Sequence, residues 1–339
     1  MRGTSRLVVT VVAMIAAGFM AATTATASSH LETVRVGYLH TLAVDGQFWI
    51  MKEEGYFKDQ GLKVEPIQFT SGIPLMQALS GGSVDVAIMG AVISNFPSQG
   101  VGKVFLINNI EYDTAMLFAR PETGAKSIQD VRGKRIVTVK GTTAHVFLHT
   151  ALKENGLDST TDVNVVSMDM ASAVSAFISG AADYVATWAP FHVQIREKVP
   201  GAVELASAAD FYPDAAIIGG WVATNDFYEE RKDVLRKIVK AWIPANDQLV
   251  NNPDKWLPYI HEKAYSNIPF EDIQASYKAE RVETAARWAE LYKDGTVAKW
   301  IGQVERVYVN IGSIEDWVDP KNFFDPNIYL SVVEGEDDM

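Results

Sequence analysis

The chain spells one order of secondary structure twice, and that duplication leaves few folds open to it. "VRVGYL" (Val34 to Leu39) alternates as a strand does, and "VDGQFWIMKEEGYFKDQGL" reads as a short helix that stops at Gly55. "KVEPIQF" is a second strand, "TSGIPLMQALSGG" a loop and helix, and "VDVAIMG" a third strand. Farther on, "RIVTV" (Arg135 to Val139), "TAHVFLHTALKENG", "VNVV" (Val163 to Val166), "ASAVSAFISG" and "DYVATW" repeat the order β-α-β-α-β. In both halves the second helix stops at a glycine and an aspartate follows three residues later: Gly82 and Asp85, then Gly180 and Asp183. Glycine takes the positive φ of a helix end, and the aspartate stands at the entry to the next strand. Alternating strands and helices with short connections predict an α/β fold with a parallel-type sheet in each half, flanked by helices.

Two further apolar runs, Ala115 to Ala119 and the "AAIIGGWVATNDF" stretch (Ala215 to Phe227), read as single strands that cross between the halves. They predict a double hinge, with the chain leaving one lobe near Asp113 and returning near Trp221. A length of 339 residues exceeds what one core usually serves, so two lobes are expected: 28–113 with 222–339, and 114–221. Helical spacing over 226–250, 269–294 and 296–309 predicts helices that buttress the first lobe, and the acidic tail "VEGEDDM" is expected to be disordered.

The N-terminus has the order of a secretory signal peptide, residues 1–27. Arg2 and Arg6 precede an uncharged apolar core of 14 residues, Leu7 to Met20, and small residues Ala25-Thr26-Ala27 follow. That core is shorter than the roughly 20 residues that span a bilayer, so cleavage after Ala27 and export are expected. The chain has no cysteine, and its net charge of -12 becomes more negative once Arg2 and Arg6 are lost. Such a charge repels nucleic acid and anionic membrane.

In open parallel sheets ligands bind beyond the carboxyl ends of the strands, which selects the residues that follow each one. In the first half these are Tyr38, His40, Asp45 and Gln47, then Ser71 and Gly72, then Met89, Gly90 and Ala91. In the second they are Thr142, Thr143 and His145, then Trp188. Asp113 and Trp221 on the crossings complete the set. Free N–H groups at a helix start, joined by Ser or Thr hydroxyls, attract an anionic oxygen, and the chain has two such places. Ordinary N-capping uses the same residues, and the paired occurrence is what favours binding. Trp188 and Trp221 read either as aromatic walls or as core. His145 and His149 have metal-compatible spacing, but no Glu follows His145 and no third ligand is evident, so no metal or cofactor is expected. No nucleophile elbow, phosphate-binding loop or dinucleotide fingerprint is present.

"EEGYFKDQGLKVEPIQFTSGIPLMQALSGGSVDVAIMG", "SIQDVRGKRIVTVKGTTAHVFLHTALKENGL" and "AFISGAADYVATWAPF" together resemble the periplasmic substrate-binding proteins of the nitrate/sulfonate/taurine ABC importers. The resemblance implies a two-lobed periplasmic-binding-protein fold of the second type. It also implies a monomer that closes on a small ligand and delivers it to an inner-membrane permease. "YVATWAPF" looks most like the taurine and alkanesulfonate branch, so a small organic oxyanion is the expected ligand. That branch carries an aspartate two residues before the tryptophan matching Trp221, where it meets the ligand amine. Here the position is Gly219, which leaves Asp45, Glu111 or Asp113 as acidic partners. Nitrate, bicarbonate, a thiamine-pyrimidine precursor or a small amine stay open as ligands. Thiamine-pyrimidine synthases, which share the fold, are the enzymatic alternative.

Overall fold

The computed structural model describes residues 31–336, so the expected signal peptide lies outside the described residues. The strands β1 (Glu32–Leu39), β2 (Leu62–Phe69), β3 (Val86–Met89) and β4 (Lys103–Ile110) are interleaved with helices α1 (Leu42–Glu53), α2 (Tyr56–Asp59) and α3 (Gly72–Ser80). A second run follows: β5 (Ala115–Ala119), β6 (Arg135–Thr138), α4 (Thr143–Glu154), β7 (Asn164–Ser167), α5 (Met170–Ser179), β8 (Tyr184–Trp188), α6 (Phe191–Lys198) and β9 (Val203–Ser207). After β10 (Ile218–Ala223) the chain is helical: α7 (Asn225–Glu230), α8 (Lys232–Asn251), α9 (Pro253–Ala264), α10 (Phe270–Ala279), α11 (Ala285–Lys293), α12 (Thr296–Asn310) and α13 (Asn327–Glu334).

The strands form two five-stranded sheets of the same plan, β2-β1-β3-β10-β4 and β7-β6-β8-β5-β9. The sheets are mixed rather than purely parallel. β10 runs antiparallel to β3 and β4, and β5 runs antiparallel to β8 and β9. The two crossings are therefore integral strands of the sheets, because a lone extended segment leaves its N–H and C=O groups unpaired while insertion satisfies both edges. The duplicated glycine turns behave as their sequence implies, with φ of +69° at Gly82 and +82° at Gly180. Asp85 takes up Arg35, accepting from its backbone N at 2.8 Å and its guanidinium at 2.5 Å, which ties β1 to the entry of β3. Asp183 serves through its carbonyl instead, which accepts from Arg120 N.

Central strands are apolar on both faces, as in the fully buried "VAIM" of β3. β2 is an edge and mostly exposed, and its Pro66, Lys63 and Glu65 fit there because an edge strand has an unpaired side. Trp221 of β10 is fully buried between Phe48 and Phe105, with ring centroids 6.4 Å from each.

The C-terminal helices depart from expectation in three places. The stretch 269–294 is two helices, broken at Glu280–Glu283 where Arg281 forms a backbone bridge with Ile110. α12 does not buttress one sheet alone. Its Val297, Trp300 and Ile301 join the first core, whereas Val304 and Tyr308 pack with Phe147 and Ala151 of α4. Of the acidic tail, Val333 and Glu334 close α13, and Glu334 pairs with Lys293 at 2.5 Å.

Trp221→Ala should lower unfolding free energy by about 3–5 kcal/mol, the usual loss for a buried aromatic truncated to alanine. A denaturant midpoint shift with unchanged slope checks it. A loss below about 1 kcal/mol would mean that the indole is not core.

Candidate functional site

The residues chosen from the strand ends fall into three groups. The first surrounds Asp45, in the first turn of α1 and fully buried. Its carboxylate accepts from His40 Nδ1 at 2.7 Å, from Trp49 Nε1 at 2.8 Å and from the Tyr265 hydroxyl. His40 lies flat on Tyr265, 4.1 Å between centroids, and its Nε2 donates to the Ala264 carbonyl at 3.2 Å. Both ring nitrogens thus face acceptors, which favours the imidazolium. Burial pushes His40 down, but the Asp45 hydrogen bond and charge outweigh it, and the net shift is upward. Tyr38 belongs to the same aromatic group, stacked on Phe48 at 5.4 Å. Gln47 is a structural tie, donating to Asn108 O at 3.1 Å and Asn246 Oδ1 at 3.3 Å.

The second group joins the two sheets. Glu111, between β4 and β5, is buried and accepts from Thr143 Oγ1 at 3.1 Å and Thr114 Oγ1 at 3.3 Å. The Ala91 N–H is shared between the Thr143 hydroxyl, at 3.3 Å, and this carboxylate. Gly90 lies against Glu111, and a Cβ there would strike the carboxylate and come within 2.9 Å of Thr143 Oγ1. Burial pushes Glu111 up to about 7 despite the hydroxyl and N–H donors. The Ala91 N–H and the Thr143 hydroxyl are therefore engaged by a carboxylate of the protein itself. Met89 is fully buried as core, and Trp188, half-buried at the end of β8, adjoins Ala189, whose N–H donates to the Thr114 carbonyl at 2.8 Å.

The third group is the pair of helix starts. Ser71 and Thr142 occupy the N-cap positions of α3 and α4, and neither side chain caps its helix. The Thr142 hydroxyl donates instead to Val139 O at 2.7 Å, so its helix start offers backbone N–H groups rather than that hydroxyl. Gly72 packs on Val92, and a Cβ on Gly141 would lie 3.3 Å from Ile73, which brings the two starts together. His145 accepts from Gly141 N at 3.1 Å, steadying its own turn. Burial, with the charges of Lys140 and His149, lowers it to about 4, so it is a neutral acceptor.

Two expected contacts fall elsewhere. Trp221 is sealed in the core because β10 is interior to its sheet. Asp113 is half-buried, and its backbone N donates to Ala279 O at 2.6 Å. Sequence reading missed Glu280, buried after α10, and Asn109 in β4. Glu280 has no local signal. The polar run Asn108-Asn109 inside an apolar strand was the available one for Asn109.

A model of the family described as NMT1/THI5 like matches residues 46–256. The chain belongs to the NMT1/THI5-like family. A Brucella abortus (strain 2308) relative, named only as a binding protein, is 28% identical over 86% of this chain and 89% of its own. The taurine-binding periplasmic protein of Escherichia coli (strain K12) is 30% identical over 60% of this chain and 62% of its own. The alkanesulfonate-binding protein of Xanthomonas axonopodis pv. citri, solved bound to MOPS, superimposes with a TM-score of 0.70 at 16% identity, covering 87% of this chain and 98% of that one. The nitrate-binding protein of Synechocystis PCC 6803 does so with a TM-score of 0.70 at 14% identity, over 90% of this chain and 89% of its own. At these identities the NMT1/THI5-like chain shares their fold.

Raised values in Glu111 and His40, together with those in the buried Asp45, Glu280 and Glu305, shape the pH dependence of the ligand-free protein. A group whose folded value exceeds its unfolded one gives stability that is complete below the unfolded value and lost as pH rises through the folded one. For Glu111 that window runs from 4.5 to about 7, a loss on the order of 3 kcal/mol. His40 adds to the fall above pH 6.5. Stability should decline from pH 5 to pH 8, and Glu111→Gln should flatten the decline below pH 7. Chemical denaturation across that range checks it, and an unchanged slope in the variant would remove Glu111 as the source.

Proposed function

We propose that this NMT1/THI5-like chain is the periplasmic binding component of an ABC importer, capturing a small organic oxyanion of the taurine and sulfonate class between its two sheets. The observation that carries the reading is the meeting of the α3 and α4 starts at Ile73 and Gly141, one from each sheet, with uncapped N–H groups on both. Such groups hold anionic oxygens, and the adjacent Lys140 adds positive charge. Relatives named for taurine and aliphatic sulfonates support the ligand class, and those names describe binding rather than catalysis. An inner-membrane permease is the partner this reading requires.

The two sheets act as lobes, 28–113 with 222–339 and 114–221, that close about the connections near Asp113 and Ile217. Hinges of this kind sit at a few element-terminal residues. Small-angle scattering should show a smaller radius at saturating ligand, and an unchanged radius would count against closure. A thermal-shift panel of taurine, alkanesulfonates, nitrate and bicarbonate tests the ligand class. Ser71→Ala should weaken sulfonate binding by about 1–3 kcal/mol, as expected for one charged hydrogen bond. Thr142→Ala should do less, because that hydroxyl already serves Val139. Stabilisation by neutral or cationic compounds alone would refute the oxyanion.

A further inference from the structure

A cavity of about 350 Å³ lies between α4, the connection 208–217 from β9 to β10, and the C-terminal half of α12. No residue of the α3 or α4 start lines it, so it is separate from the place proposed for the oxyanion. Its size falls within the range of small-molecule pockets, roughly 300 to 1,000 Å³. Phe147 of α4 and Phe211 of the connection form an aromatic wall, 6.4 Å between centroids, and Ile217, Val304 and Val307 add aliphatic surface.

Two polar atoms of the lining residues have no partner. Gln303 Nε2 donates to the Asp214 carbonyl at 2.6 Å, which fixes the orientation of the amide and leaves Oε1, an acceptor only, buried and unpartnered. His149, 6% exposed, holds Ser159 Oγ at 2.7 Å through Nδ1, and its Nε2 is buried and unpartnered as well. Burial, then the Lys153 charge, pushes His149 below its ordinary value, so the ring is neutral. Buried polar atoms without partners are rare in native proteins, and two on the residues of one cavity point to a guest that brings a hydrogen-bonding group. The charges round the cavity are of both signs, Lys153 and Arg306 against Glu154, Asp210 and Asp214, so neither an anion nor a cation is favoured there.

We propose that this cavity is a second ligand site, which takes an uncharged, flat ring system bearing a hydroxyl. The rings lie against Phe147 and Phe211, and the hydroxyl donates to Gln303 Oε1. The walls belong to both sheets. α12 is anchored in the first core through Trp300 and Ile301 and tied to the connection by Trp300 Nε1, which donates to the Pro213 carbonyl at 3.2 Å, whereas Phe147 belongs to the second core. A guest therefore packs the connection against α4 and slows its local opening.

Equilibrium dialysis of the whole chain at pH 7 compares 2-naphthol, naphthalene and 2-naphthoate, one ring system carrying a hydroxyl, no polar group or a charge. 2-Naphthol should bind roughly tenfold more tightly than naphthalene, the factor for one hydrogen bond to an otherwise unpaired acceptor, and 2-naphthoate should bind more weakly than either. Gln303→Met, which keeps the length and removes the acceptor, should bring 2-naphthol down to the affinity of naphthalene and leave naphthalene unchanged. Val307→Trp fills the cavity from α12 and Ala215→Phe fills it from the connection, and each should abolish binding of 2-naphthol. The ligand-free melting temperature of each variant verifies that it is folded. Bound 2-naphthol should also slow backbone hydrogen exchange over 208–217. Absence of 2-naphthol binding, or binding that survives a folded filled variant, overturns the site. Equal affinity for 2-naphthol and naphthalene overturns the hydroxyl contact, tighter binding of 2-naphthoate overturns the uncharged guest, and unchanged exchange over 208–217 overturns the placement.

Discussion

Carboxylates removed from water are the constraint around which this molecule is arranged. Asp45, Glu111 and Glu280 are three buried carboxylates that the fold treats differently. Asp45 is given an imidazolium, an indole N–H and a phenol, which satisfy it almost entirely from side chains. Glu111 is given hydroxyls and a shared backbone N–H, neutral donors that lower its value by less than burial raises it. Glu280 is given less, with one oxygen unpartnered. Satisfied polar clusters fix a structure, and unsatisfied ones weaken it, so satisfaction falls along a gradient from Asp45 to Glu280.

That gradient lies across the connections between the sheets. Glu111 and Thr114 stand on the segment between β4 and β5, Thr143 opens α4 of the second sheet, and Ala91 follows β3 of the first. One carboxylate therefore touches both sheets and the chain that joins them. Any rearrangement of the sheets must remake these bonds, and any charge placed beside Glu111 changes their strength. A ligand shifts a conformational equilibrium only by its differential affinity for the two states, and Glu111 is positioned to supply such a difference. α12 reinforces the joint, its first half in one core and Tyr308 in the other, with the Tyr308 hydroxyl donating to the Gly141 carbonyl at 3.3 Å.

The order of strands and helices was legible because it is carried by local periodicity and by glycine stops, both of which survive in a window of a few residues. What failed was long-range. "KVFLINNI" became β4, although its run of two asparagines hid a buried strand, and β9 has a turn signal, Pro200-Gly201, on its N-terminal side only. The direction of β5 and β10 depends on which sheet completes itself with them, and no local pattern encodes that. Residues at strand ends were placed near the joint, but their roles depended on partners far along the chain. Thr143 meets Glu111, Asp45 meets Tyr265, and Trp221 meets Phe48 and Phe105. Glu280 was invisible because a helical period continues through it. The break comes from Arg281 bridging to Ile110, and from Thr284, whose hydroxyl accepts from Arg287 N to start α11.

The glycine at 219 leaves room for the side chain of Asn109. In the branch that the sequence resembles, an aspartate occupies this position on the returning strand. Here even a Cβ at 219 would strike Asn109 Oδ1 and crowd the Met89 carbonyl, and one at 220 would meet the Leu106 carbonyl. Asparagine on β4 and a side chain on β10 compete for the same volume, and the chain has kept the asparagine. Two residues beyond Asn109, Glu111 lies over a second glycine, Gly90. Asn109 with Gly219 and Glu111 with Gly90 thus form two close-packed pairs, and a side chain at either glycine would clash with its partner.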